Sequence, residues 1–148
     1  AASMSSAASF SMSARNCSRF GCVANVRQSF NSCTRTDSAT KSLAVSIDWA
    51  APAAVVAGAV KWNVAWERIN ALGLDIDTDS FAAAKTATTT TSGTTGQISR
   101  TTITFTSAEA DGILASEDYR LQVIRDANAA GDTLVGDVSL LRVSIAEV

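Results

Sequence analysis

The sequence predicts an all-β fold: an antiparallel β-sandwich, jelly-roll-like, with about seven or eight short strands and one short helical turn near residues 107–113. Three observations predict it. Apolar residues recur at every second position in several short runs, and a period of two marks a strand with one buried face. Polar or glycine-containing segments interrupt those runs at intervals of roughly 8–12 residues. Pro52 is the only proline, so nearly every residue can donate to a hydrogen-bonded ladder.

Residues 1–18 form a Ser/Ala-rich arm, in which Phe10 and Met12 could anchor on a neighbour. Residues 19–148 form a single domain. Phe20, Cys22, Ala24 and Val26 alternate as a first strand, and the polar segment 31–41 follows as a turn region. Leu43, Val45, Ile47 and Trp49 mark the next strand. Pro52 and Gly58 then bracket an Ala-rich window too short for a stable helix. Val60, Trp62, Val64 and Trp66 make the strongest strand, with both indoles on the face of the valines, which reads as sheet core. Residues 81–91 read as an extended Thr-rich strand, residues 92–96 as a turn, and residues 97–105 as a strand burying Thr101, Ile103 and Phe105. Thr106 and Glu109 have the spacing of a capping box and open the helical turn, which Gly112 stops. Finally, Tyr119, Leu121 and Val123, and then Leu141, Val143 and Ile145, alternate on either side of a Gly- and Asp-containing connection. Their natural reading is a β-pair. Ile124 beside Val123, and Leu140 beside Leu141, put apolar groups on both faces, as a subunit interface would.

Composition narrows the function classes. The 148 residues are 47% hydrophobic and 18% charged, below the ~25% charged residues of an average soluble domain. A net charge of −2 gives no basic field for nucleic acid or an anionic membrane. No apolar run approaches the ~20 residues of a membrane span, and the N-terminal stretch lacks the apolar core of a secretory signal. The chain has no histidine, which removes the commonest general base, the usual Ser and Cys triads and most zinc sites.

Cys17, Cys22 and Cys33 allow at most one intrachain pair. They read as three small, partly buried thiols, with a disulfide between two of them as the alternative. Their spacing and the lack of histidine argue against a metal site. Asp75, Asp77 and Asp79 alternate in a way that invites a calcium reading. An EF-hand loop starting at Asp75 would need Gly and Glu where Ser80 and Thr86 stand, so the segment reads as a solvated acidic loop, with a calcium site of another type as the lesser alternative. Glu67, Asp75, Glu109 and Glu117 supply carboxylates of the type a glycosidase uses, without any spacing that pairs them. No glycine-rich phosphate loop is present. The expectation is a non-enzyme with no catalytic, cofactor-binding or metal residues.

Four stretches in this order carry a resemblance: Leu43 to Trp49, GAVKWNVAWER (58–68), DIDTDSFAAAKT (75–86) and YRLQVIRDANAAGDTLVGDVSLLRVSI (119–145). Over about residues 43–148 the chain resembles a small structural β-domain of tailed-bacteriophage virions, of the tail-fibre, head-fibre or capsid-decoration type. In that family a strand ends in Arg-Asp, a loop carries Gly-Asp-Thr-Leu, and Asp and Leu follow before the terminus. Arg125, Asp126, Asp132, Thr133, Leu134, Asp137 and Leu141 occupy those positions. The first 40 residues depart from it, with NSCTRTDSATK where a Pro- and Tyr-containing turn is usual.

The resemblance implies a jelly-roll-like module located in the virion. It implies self-association, as a homotrimer, and docking on other virion proteins such as the major capsid protein, without nucleic acid, membrane or small-molecule ligand. Arg125 and the loop aspartates are then expected to fix the loop's shape by hydrogen bonding. The alternative is a carbohydrate-binding β-sandwich module, in which Trp49, Trp62 or Trp66 would form an exposed stacking platform.

Overall fold

A computed structural model of the chain describes residues 23–28, 42–52, 58–69, 74–75, 77–78, 80–114 and 117–148. The predicted arm 1–18, residues 19–22 of the predicted first strand, the turn region 31–41, Asp79 and all three cysteines lie outside the described residues. The described part is all-β, with seven strands: β1 (Val23–Gln28), β2 (Leu43–Ala50), β3 (Ala59–Ile69), β4 (Lys85–Thr90), β5 (Ile98–Phe105), β6 (Asp118–Arg125) and β7 (Ser139–Glu147). They form two antiparallel sheets, of order β1-β6-β3-β4 and β5-β2-β7.

The two sheets face each other in a β-sandwich-like arrangement, because each alternating strand has one apolar side to bury. Val45, Ile47 and Trp49 of β2 and Ile103 and Phe105 of β5 meet Val60, Trp62, Val64 and Trp66 of β3 and Leu121 and Val123 of β6 in one core. Aromatic pairs join the layers. Trp49 lies 6.4 Å from Trp62, and the Trp66 ring meets that of Phe105 edge-on at 5.8 Å. Inside the core, the Trp49 indole N–H donates to the Thr101 hydroxyl, which donates in turn to Thr89 across the layers. This satisfies a buried polar group that would otherwise be penalised. The strands read from alternation at 43–49, 60–66 and 97–105 are all present, and Thr101, Ile103 and Phe105 are buried.

Three elements differ from expectation. The Thr-rich strand predicted over 81–91 begins only at Lys85. Residues 80–82 are drawn out of line because Ser80 bonds Glu67, the Phe81 ring lies under Arg120, and Ala82 N–H reaches the Trp66 carbonyl. The helical turn at 107–113 is a hydrogen-bonded turn and not a helix. Its capping box is formed, with Thr106 N–H donating to Glu109 at 2.8 Å and Glu109 N–H donating to the Thr106 hydroxyl at 3.3 Å. Asp111 and Gly112 then take φ of 56° and 62°, and two successive left-handed residues end the coil after one turn.

The third difference is the largest. β6 and β7 do not pair with each other. β6 lies between β1 and β3, whereas β7 pairs with β2 in the other sheet. The predicted connection is therefore a crossover from one sheet to the other. The β2–β7 register also slips by one residue, since Asp48 faces Arg142 but Trp49 faces Leu140. Leu141 is the extra residue of a β-bulge, so Leu140, and not Leu141, enters the core on the side of Val143 and Ile145. Leu140 is thus unavailable as the apolar interface residue it was expected to be; Leu141 and Ile124 are half-buried.

Candidate functional site

The crossover segment 126–138 is the most elaborately built loop among the described residues, and it contains the motif positions read from the sequence. It starts from Arg125, the last residue of β6. Arg125 faces Trp62 in the register and so points inward, towards the gap between the sheets. An arginine on the core side of a strand needs partners, because an unpaired charge there carries a large desolvation penalty. The loop supplies them. Arg125 Nε and Nη2 donate to the two carboxylate oxygens of Asp132, at 2.9 and 2.7 Å. The same guanidinium donates to the carbonyl of Leu134 at 2.6 Å and to that of Gly136 at 2.5 Å. The Asp132 carboxylate is only 1% exposed and accepts a further bond from Lys61 N–H at 3.0 Å. A planar fork of donors suits this bidentate geometry; a lysine could not reproduce it.

The loop is stitched to the first half of β3 as well. Thr133 N–H and Leu134 N–H both donate to the Ala59 carbonyl, and Ala59 N–H donates to the Thr133 hydroxyl at 2.9 Å. Asp126 N–H bonds the Lys61 carbonyl, while its carboxylate takes Asn63 Nδ2 at 3.3 Å and lies 3.8 Å from Lys61 Nζ. Leu134 drops into the core against Gly58, where a Cβ would stand 2.8 Å from the Leu134 Cα, so only glycine fits. Val135, by contrast, is 88% exposed. The carbonyls on either side of it are the two that Arg125 grips, so this apolar side chain is held outward on a fixed backbone.

Arg125, Asp126, Asp132, Thr133 and Leu134 are therefore brought together, and all five are used to shape the loop. Asp137 is exposed, and Leu141 serves as the bulge. Sequence reading did not find the docking groups on Ala59 and Lys61, because these are backbone atoms that any residue would supply. It also did not find that Val135 is the side chain presented.

Outside the loop, four further carboxylates among the described residues are held in ion pairs. On the outer side of the β5-β2-β7 sheet, Asp48 lies between Arg100 and Arg142, its cross-strand neighbours. The Arg100 bonds, at 2.6 and 3.0 Å, hold its carboxyl below the usual carboxylate range, and Arg142 adds to this against the opposing effect of burial. Glu67 is fully buried. Its bond from Arg120 Nε, and then those from Ser80, hold its carboxyl low despite desolvation. Lys85, and then Thr106, bring Glu109 down to about 2. Arg68 similarly lowers Glu117, which also accepts Leu114 N–H. Asp75 closes its own turn by accepting from Asp77 N–H and the Thr78 hydroxyl.

The four carboxylates considered for sugar chemistry thus have separate partners. Among the described residues, no three Cys, Asp or Glu converge as a metal site would require. Trp49, Trp62 and Trp66 are all buried, so the stacking platform of the carbohydrate reading does not exist. Among the described residues no helix is long and apolar enough to cross a membrane. No family model, no curated protein and no solved structure matches this chain.

Proposed function

We propose that the chain is a non-enzymatic structural protein of a tailed-bacteriophage virion, a capsid-decorating or fibre-type module. It acts by symmetric self-association as a homotrimer and by docking on other virion proteins such as the major capsid protein. In this reading the two-sheet body is a jelly roll, and residues 1–18 are an arm that orders on a neighbour.

The observation that carries the reading is the crossover clamp. The positions that give the chain its likeness to virion domains are the ones that build the loop: Arg125, Asp126, Asp132, Thr133 and Leu134. Their product is a rigid tip with Val135 facing solvent. A rigid apolar tip suits docking, because little loop entropy remains to be lost on binding.

The test is a density map of purified particles, with mass spectrometry of their proteins. The reading expects the chain in the particle, with the 126–138 loop at a contact. Absence of the chain from particles would overturn it. Val135→Glu should weaken incorporation while leaving the melting temperature unchanged.

A further inference from the structure

Of the chain's eight glycines, only Gly112 follows an aspartate or asparagine. An Asp-Gly pair can isomerise without any co-reactant but water. The glycine amide nitrogen attacks Cγ of the aspartate, a C–N bond forms, and a carboxyl oxygen leaves as water to give a five-membered succinimide. Water then reopens the ring. Opening at the α-carbonyl leaves the chain linked through the β-carboxyl, as iso-aspartate, with the mass unchanged. Glycine favours the reaction because no side chain obstructs the approach.

Here both reacting groups are engaged by other partners. Gly112 N–H, the nucleophile's proton, is donated to the Ser107 carbonyl at 2.9 Å. The Asp111 carboxylate, the electrophile, accepts Arg68 N–H of β3 at 2.8 Å. The turn is pinned on both sides by core residues, Ala110 and Ile113, and its mouth is closed by the Thr106–Glu109 capping box. Asp111 has φ of 56°, in the left-handed region that aspartate tolerates, and its hydrogen bond from Arg68 N–H accompanies that conformation.

We propose that Asp111–Gly112 is a fold-gated isomerisation site, closed while the 106–113 turn is shut and reactive when the turn opens. Conversion inserts an extra carbon into the backbone between two core anchors and displaces the carboxylate from Arg68 N–H. The turn cannot close in its original form while the β linkage persists, so the accumulated open time of the turn is recorded in the extent of conversion.

The test is peptide mapping with fragmentation that distinguishes the β linkage, on the whole chain incubated at neutral pH, folded and in concentrated urea. Conversion at Asp111 should be about tenfold or more slower in the folded protein, because it waits for local opening. Equal rates would overturn the proposal. Glu109→Ala removes the capping-box carboxylate and should raise the rate in the folded protein without changing it in urea. An unchanged folded-state rate would show that the turn is not the gate. Tryptophan emission reports whether this variant is folded; if it is not, hydrogen exchange at Gly112 in the parent chain decides, with fast exchange contradicting a closed turn. Asp111→Glu, which cannot close the five-membered ring, should abolish the product.

Discussion

Replacing Arg125 by alanine removes one side chain but leaves three groups without their partner. Asp132 keeps a carboxylate that is 1% exposed, with only the Lys61 N–H still bonded to it. The carbonyls of Leu134 and Gly136 each lose their guanidinium donor. Removing one member of a buried ion pair costs about 3–5 kcal/mol, because the remaining charge is uncompensated. Domains of this kind are stable by only about 5–15 kcal/mol, so Arg125→Ala should remove a large share of the stability. At this size each kcal/mol corresponds to about 2–4 °C, and the melting temperature should fall on the order of 10 °C.

Urea unfolding followed by the emission of the three buried tryptophans measures the loss. Asp132→Ala and the double variant complete a cycle, and the double variant should be much less than additive, since its second change removes the stranded charge. Arg125→Lys should recover only part of the loss, lacking the fork. A melting temperature within about 2 °C of the parent, or additive changes in the cycle, would refute the clamp as the organiser of the loop.

The remaining expectations follow from packing and charge. Gly58→Ala should cost about 1–3 kcal/mol in urea unfolding, because its Cβ would meet Leu134 backbone that cannot move aside; a neutral result would mean that the loop is not seated there. Leu140→Ala should cost about 2–5 kcal/mol and Leu141→Ala distinctly less, and the reverse order would disprove the bulge. Tryptophan emission should be blue-shifted and little affected by iodide, whereas strong quenching would place an indole at the surface. Asp48, Glu67, Glu109 and Glu117 all have folded-state values lowered by their cationic partners. The unfolded chain then binds more protons at acid pH. The stability they contribute is present above their unfolded values and is lost as pH falls through their lowered folded values, which for Glu109 is about 2. Thermal melts at pH 7, 4 and 2 should decline over the acid interval; an unchanged melting temperature at pH 2 would contradict this.

Local pattern alone determined much of this protein. Alternation located β2, β3, β5, β6 and β7 and the buried face of most of them, because a strand's period of two is written directly in side-chain polarity. The tryptophans were legible as core because they share a face with Val60 and Val64. The capping box was legible because both its members lie within one turn. The expectation that Arg125 and the loop aspartates shape the connection came from the resemblance and not from the residue pattern, which showed only a polar Gly- and Asp-containing segment.

Only the tertiary structure decided which strands pair. A strand's alternation states which side is apolar but not which neighbour it meets, so a hairpin and a crossover between sheets look alike. One signal was present: residues 126–138 are far longer than the roughly two to five residues of an ordinary hairpin loop. The bulge at Leu141 was hidden because a single inserted residue inverts the faces without altering composition. The inward direction of Arg125, and the pairings of Glu67 with Arg120 and of Asp48 with two arginines, depend on contacts between residues far apart in the chain. Ion-pair partners are chosen by the register of strands, and register is settled only when both sheets close over the same core.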